Sequence, residues 1–242
     1  MSLSRILTLS FASLLGLVTG VMGVSAQSAQ QIVAKHLEAL GGKEKLQSIN
    51  SLYIEGVAVL ENGTKASMKT WRVYDRLYRQ EIGLSGGNMV VIVTPRQGWS
   101  YSPQSTGVFK PLTDEQFRAL KPEIDPAGPL VDYNAKGNKI ELAGKDTVEG
   151  QECYKIKVYY PSGMSAMYFI DGKTWYILRE THKSPEEAGG NTTIDYKDYK
   201  IIPGGYIFPY TIIISRYGAR ISVEKVQING TINTDVLSKP NK

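Results

Sequence analysis

Cysteine and histidine are scarce: the 242-residue sequence contains one cysteine, Cys153, and two histidines, His36 and His182. A single cysteine excludes an internal disulfide. Neither histidine has a second His or a Cys at metal-ligand spacing, so a structural zinc site is not expected. Phosphate-binding loops and dinucleotide fingerprints are also missing. We therefore predict no metal, no cofactor and no catalytic residue set.

Concentrated charge is lacking as well. The chain has 28 Lys and Arg against 23 Asp and Glu, a formal net charge of +5. These charges are scattered, and no Lys/Arg-rich tract stands out. Binding to nucleic acid is therefore not expected, because that function relies on clustered positive charge.

The N-terminus has almost no charge. Arg5 is the only charged residue before Gln27, and a hydrophobic run over 6–24 precedes the small residues Ser25 and Ala26. This pattern predicts a signal peptide over 1–26, cleaved after Ala26, and hence a periplasmic protein. Lys and Arg would fall from 28 to 27 against 23 acidic residues, a net charge of +4. A retained transmembrane helix is the alternative. A bacterial lipid anchor would need a cysteine directly after the cut, and none is there.

The mature chain opens with a helical pattern. Ser28 and Gln31 form a capping box, and apolar residues then recur at helical spacing up to Leu40, before Gly41. After Asn50 the period changes to two, and short strands succeed one another without intervening helices, which predicts an antiparallel meander. The predicted strands are 52–60, 66–74, 77–82, 89–94, 99–102, 139–142, 152–160, 164–170, 176–183, 192–200, 206–215 and 220–228.

One segment interrupts the strands. Thr113 and Gln116 form a second capping box, and Pro122, Pro126 and Pro129 break the next stretch of chain into short pieces. We expect short helices or turns lying across the sheet. Since no linker or repeat divides the mature chain, we expect residues 27–242 to form a single β-rich domain.

A nucleophile-elbow pattern, G-x-S-x-G, occurs around Ser85. That motif requires a strand, a sharp turn and a helix. A β-rich run comes next here instead, so a glycine-rich hairpin connection accounts better for the stretch.

Tyrosine is abundant, with 15 Tyr against 5 Phe. On the predicted strand 152–160, Tyr154, Ile156 and Val158 share one face and should point inward, with lysines on the other face. Such a row suits a surface that accepts apolar ligands. An ordinary core in which aromatic residues pack against protein remains an alternative.

Several segments are similar to those of a known family. The segments 71–78 and 89–103, with Trp99, Tyr101 and Pro103 at the end of the second, resemble a strand pair of the LolA/LolB-like periplasmic lipoprotein carriers. The segments 39–46, 128–133, 144–150, 168–171 and 228–240 resemble the outer-membrane lipoprotein-sorting branch of that family.

The resemblance implies an α+β, mostly β fold: a curved antiparallel incomplete β-barrel, or half-barrel, whose N-terminal helix and short helices cover the concave face. Apolar ligands would lie in a cavity between the sheet and this helical lid. Family members also use an arginine of the second strand to help hold the lid, and Arg72 is the nearest candidate. The predicted ligand-binding residues are Met68, Trp71, Arg72, Tyr74, Trp99, Tyr101, Phe117, Leu120, Tyr154, Ile156, Val158 and Tyr168.

The favoured hypothesis is a non-catalytic periplasmic carrier or binding protein for lipidated proteins or other lipid-like ligands. Its further partners would be a membrane transporter and an outer-membrane receptor, and we expect a monomer. A second hypothesis is an envelope sensor or scaffold that binds a protein partner through the same sheet. A third is a hydrolase that uses Ser85.

Overall fold

The computed structural model describes residues 27–104, 107–183, 191–233 and 236. The predicted signal peptide, 1–26, lies outside these residues. Thirteen strands form one sheet. They are β1 (Ser51–Val59), β2 (Lys65–Val73), β3 (Leu77–Leu84), β4 (Gly87–Val93), β5 (Gly98–Tyr101), β6 (Lys110–Pro111), β7 (Lys139–Val148), β8 (Gln151–Tyr159), β9 (Ser165–Asp171), β10 (Ile177–Lys183), β11 (Asn191–Ile202), β12 (Tyr206–Ile214) and β13 (Ala219–Ile228).

The sheet consists of two antiparallel meanders joined side by side. Its order is β6-β5-β4-β3-β2-β1-β13-β12-β11-β10-β9-β8-β7. The chain runs outward from β1 to the edge strand β6, crosses to the opposite edge at β7, and returns strand by strand to β13 beside β1. The two edges do not pair with each other, so the sheet is unclosed. The predicted meander and half-barrel fold are confirmed.

Helices are few and short among the residues that the structure describes. They are α1 (Ala29–Ala39), α2 (Lys43–Gln47) and α3 (Asp114–Leu120), with short 3-10 helices at Lys121–Ile124 and Ser215–Tyr217. Both predicted capping boxes are present, at Ser28 with Gln31 and at Thr113 with Gln116. Within the described residues, no helix is long and apolar enough to cross a membrane.

The chain between β6 and β7, which links the two meanders, contains short helices. We call residues 113–133 the cover segment. It contains α3 and the adjoining 3-10 helix, and Ile124 packs with Tyr78 and Val93 of the sheet. The predicted short helices across the sheet are therefore confirmed.

Helix α1 packs on the other half of the sheet. Ile32, Val33 and Leu37 of α1 form one core cluster with Ile156 and Ile170 of β8 and β9. The cluster also takes in α2 and the end of the cover segment. Both ends of the sheet are thus covered by helical segments, which leaves the middle strands between them.

Two details differ from the sequence-based prediction. Strand β7 extends to Val148, because an irregularity between Leu142 and Lys145 lets it continue pairing with β8 past Gly144. Cys153, which the predicted strand 152–160 includes, has no exposed surface. It faces away from Ile156, so both faces of β8 are packed at that point.

Candidate ligand-binding site

The strand register assigns each side chain to one of two faces of the sheet. Ile54 of β1 lies opposite Thr70 of β2 and Val226 of β13. Because directly paired residues point to the same side, one face can be traced across the whole sheet. This face carries Ile156 of β8, which packs against α1, and Tyr78 of β3, which packs against the cover segment.

The sheet is curved and unclosed, and the helical segments pack on this face. Strands β2 and β11 are four positions apart in the sheet, which would separate them by about 19 Å if the sheet were flat. Yet Tyr196 of β11 and Glu180 of β10 both contribute to raising the pKa of Arg72 in β2. We call the face that carries Arg72 and contacts the helical segments the concave face.

The middle of the concave face is apolar. We call this surface the concave wall. Its residues all come from strands β1, β2, β3, β12 and β13, and no described helix contributes to the cluster. Those on β3 and β12 are only half-buried. The wall comprises Leu52, Ile54, Ala58, Ala66, Met68, Ile82, Leu84, Phe208, Tyr210, Ile212, Ile214, Ile221, Val223, Val226 and Ile228.

A group of polar side chains adjoins the concave wall. Arg72 of β2 lies opposite Leu52 of the wall, and its guanidinium forms an ion pair with Glu123 of the cover segment. Its Nε atom is buried and has no hydrogen-bond acceptor among the described residues. The ion pair joins the cover segment to the sheet across the concave side.

A second set of polar residues lies on the other side of the wall. The Tyr196 hydroxyl donates a hydrogen bond of 2.9 Å to Glu180 Oε2, and His182 Nδ1 lies 3.4 Å from Glu180 Oε1. Tyr196 is directly paired with Ile212 of the wall. The hydroxyls of Tyr160 and Tyr168 are 3.0 Å apart. We call these residues, together with Arg72 and Glu123, the polar cluster.

Burial and mutual charge shift the pKa values in the polar cluster. Burial raises the pKa of Tyr160, Tyr168 and Tyr196, so these phenols stay protonated. Burial alone would lower the pKa of Arg72, but Glu123 and other neighbours outweigh it and the pKa is raised. The hydrogen bond to Glu180 raises the pKa of His182.

Eight of the twelve predicted ligand-binding residues lie on the concave side. Met68 belongs to the concave wall and Arg72 to the polar cluster, while Phe117 and Leu120 belong to the cover segment and pack against Tyr78 and Val93. The other four are on β8 and β9 beneath α1: Tyr154, Ile156, Val158 and Tyr168. Ile156 and Val158 are 0% exposed, so a ligand reaches them only if α1 moves.

The remaining four predicted residues lie elsewhere. Trp71, Trp99 and Tyr101 occupy the convex face. The ring of Trp71 packs at a tilt against that of Tyr53, with centroids 5.1 Å apart, and the other two pack in a cluster of β3 to β5. Tyr74 comes directly after β2 and is 54% exposed. The structure therefore does not bring these four residues together with Met68 and Arg72.

Two grooves lie on the convex face. One, of about 340 Å³, is lined by Tyr176, Tyr199 and Asp195, among others. The other, of about 230 Å³, lies beside Trp71 and is lined by the segment after β13. Both have walls of mixed polar and apolar surface, in contrast to the apolar concave wall.

Ser85 lies in a tight hairpin. Strand β3 ends at Leu84 and β4 begins at Gly87. The connection is thus strand, turn and strand, and the strand–turn–helix context of a nucleophile elbow is missing. The predicted glycine-rich hairpin is confirmed. Across the described ranges, no three His, Cys, Asp or Glu side chains are grouped as metal ligands would be.

Sequence reasoning missed most of the polar cluster. Glu123, Glu180 and Tyr196 were not among the predicted site residues, and they come from three separate segments of the chain. Apolar alternation from Tyr206 to Ile214 was the available signal for the β12 part of the wall. No sequence signal links Glu180 to Arg72, because only the curl of the sheet brings them close.

No protein-family model matches the sequence, and no curated protein does. Solved structures share the fold. A LolA superfamily protein of Nitrosomonas europaea aligns over 88% of this chain and 99% of its own, with a TM-score of 0.58 and 13% identity. A DUF1329 family protein of Desulfovibrio piger aligns over 88% of this chain and 98% of its own, with a TM-score of 0.58 and 12% identity. The chain thus has a LolA-like fold.

Proposed function

We propose that this protein is a non-catalytic carrier or binding protein for lipidated proteins or other hydrophobic molecules. The concave wall is the observation that carries the proposal. It is an apolar surface, half-buried on β3 and β12, that lies between two regions covered by helices and has no helix of its own among the described residues. Its curvature allows several strands to contact one extended chain.

The energetics favour an apolar ligand at this position. Moving an acyl chain out of water is worth about 0.8 kcal/mol per methylene. The half-exposed side chains of Leu84, Ile212 and Ile214 would lose water contact in the same event.

The cover segment is suited to act as a lid. Its helices are short, and Arg72 and Glu123 connect it to the sheet by an ion pair whose two side chains are 27% and 35% exposed. Such a partly exposed pair contributes little stability once solvent screens it. Helix α3 carries no buried residue, so it can move away from the sheet to release a ligand while Ile124, Leu130 and Val131 of the cover segment stay packed.

The setting we propose is the periplasm. Residues 1–26 would act as a signal peptide cut after Ala26, and 27–242 would form one domain. If the ligand is a lipidated protein, a membrane transporter would supply it and an outer-membrane receptor would accept it. The mass of the protein recovered from a periplasmic fraction tests the cleavage site.

Adjacent residues of β12 provide a matched test of binding. Ile212 belongs to the concave wall, whereas Ile213 pairs with Asp195 on the convex face. A fluorescent probe that carries an acyl ester should bind the wild type saturably. Ile212→Gln should weaken binding about tenfold or more, since it places an amide against the acyl chain, while Ile213→Gln should leave it near the wild-type value. Absence of saturable binding, or equal effects of the two variants, would contradict the proposal.

A further inference from the structure

The charges of the polar cluster do not balance. It contains one guanidinium, Arg72, and two carboxylates, Glu123 and Glu180. Three tyrosines near them are uncharged: Tyr168, which is buried, and Tyr160 and Tyr196, which are half-buried. His182 adds a positive charge only when it is protonated. When His182 is neutral, the cluster carries one surplus negative charge.

Both carboxylates act across the concave side. Glu123 and Glu180 each influence Arg72, Tyr160 and His182. Both carboxylates lie on the concave side, Glu180 on β10 and Glu123 on the cover segment. A bound ligand excludes water from this side and strengthens these electrostatic interactions.

The polar cluster also offers a ligand more hydrogen-bond acceptors than donors. Each carboxylate has about four acceptor positions. Glu180 uses one oxygen for the Tyr196 hydroxyl and has the other near His182, and Glu123 pairs with Arg72. Acceptor positions thus remain for a ligand that donates hydrogen bonds. The buried Arg72 Nε is a single donor available to a ligand oxygen.

These observations indicate which polar group fits beside the concave wall. Building on the proposed function, we propose that the site selects amphiphiles whose polar part is uncharged and donates hydrogen bonds, such as hydroxyl or amide groups. It discriminates against acyl chains that end in a carboxylate or a phosphate. An acyl chain on the wall and a neutral head at the polar cluster satisfy both surfaces at once, because Ile212 and Tyr196 are directly paired.

Lys200 is a cation on the concave side with which an anionic headgroup would pair. It lies opposite Phe208 on the concave side, is exposed, and has its Nζ 4.3 Å from the ring centre of Tyr210. A cation that remains in solvent attracts a carboxylate only weakly. It serves as the matched control for Glu180.

The test compares two ligands with the same chain, 1-monolauroylglycerol and laurate, as competitors for the acyl-ester probe at pH 8.5. There laurate is ionised. We expect laurate to compete about tenfold less well than 1-monolauroylglycerol, since a carboxylate would join a surplus negative charge in a poorly solvated space. Glu180→Gln, which keeps an acceptor for Tyr196, should reduce that difference to about twofold or less. Lys200→Gln should leave the difference unchanged.

The possible results separate the two proposals. If laurate competes as well as 1-monolauroylglycerol, or if Lys200→Gln weakens laurate selectively, the headgroup preference is wrong and the binding function stands. If the probe does not bind at all, the proposed function itself fails. Should Glu180→Gln not fold, as judged by circular dichroism, Glu123→Gln removes a negative charge from the same cluster and should narrow the difference in the same direction.

Discussion

His36 should make the stability of the protein depend on pH. It lies on α1, is only 3% exposed, and its Nδ1 is 2.8 Å from the carbonyl oxygen of Trp175. A carbonyl only accepts hydrogen bonds, so Nδ1 carries a proton. Burial lowers the pKa of His36 from 6.5 to about 4, against the smaller effect of the Trp175 hydrogen bond.

The direction of this shift determines how stability changes with pH. Above pH 6.5, His36 is neutral in both the folded and the unfolded state and contributes no pH dependence. Between pH 6.5 and 4 the unfolded chain binds a proton that the folded chain does not, so the free energy of unfolding falls as the pH falls. At about 1.4 kcal/mol for each unit of pKa difference, the loss is about 2 kcal/mol at pH 5 and about 3 kcal/mol below pH 4.

The assay is urea unfolding of the wild type and of His36→Asn at pH 7.5 and at pH 5. Asparagine places an amide donor near the position of Nδ1 and does not titrate. Carboxylates and His182 contribute equally to both proteins and cancel in the comparison. We expect the wild type to lose about 2 kcal/mol more than the variant between the two pH values. Equal losses would refute the assignment of a buried neutral histidine.

Two further substitutions test the packing of the sheet and its cover. Gly56→Ala should destabilise the protein by about 2 kcal/mol or more in urea unfolding, because a Cβ there would lie 2.3 Å from the backbone oxygen of Ser222. Gly63 faces open space at a φ of +80°, so Gly63→Ala should cost only about 1 kcal/mol. Equal losses of stability in the two variants would contradict this account. Glu123→Gln should speed amide hydrogen exchange in the cover segment, since it weakens the pair with Arg72, and unchanged exchange there would show that the pair does not hold the segment.

The fold could be predicted because local rules agree with it. The capping box at Ser28, the hairpin at Asn62 and Gly63 and the change from helical to alternating period all depend on neighbouring residues. The inward face of β8, with Ile156 and Val158, can be inferred from alternation along one strand.

The site was harder to predict, because the face of the sheet on which a side chain lies depends on how its strand pairs with the neighbouring strands. Met68 and Trp71 are three residues apart on β2, so alternation alone puts them on opposite faces, and both could not line one site. Trp99 and Tyr101 share a face, but which one depends on their register with β4. The polar cluster depends on the curl of the whole sheet, which no local pattern in the sequence specifies.

The most direct test of the account is to locate a bound acyl chain on the protein. An acyl ester that carries a photoactivatable group near the end of its chain would be bound, irradiated and mapped by tandem mass spectrometry. We predict adducts on the concave wall, at half-buried residues such as Ile212 and Ile214, and protection by excess unlabelled ester. Adducts confined to the convex face, around Tyr53 and Trp71, would contradict the central claim.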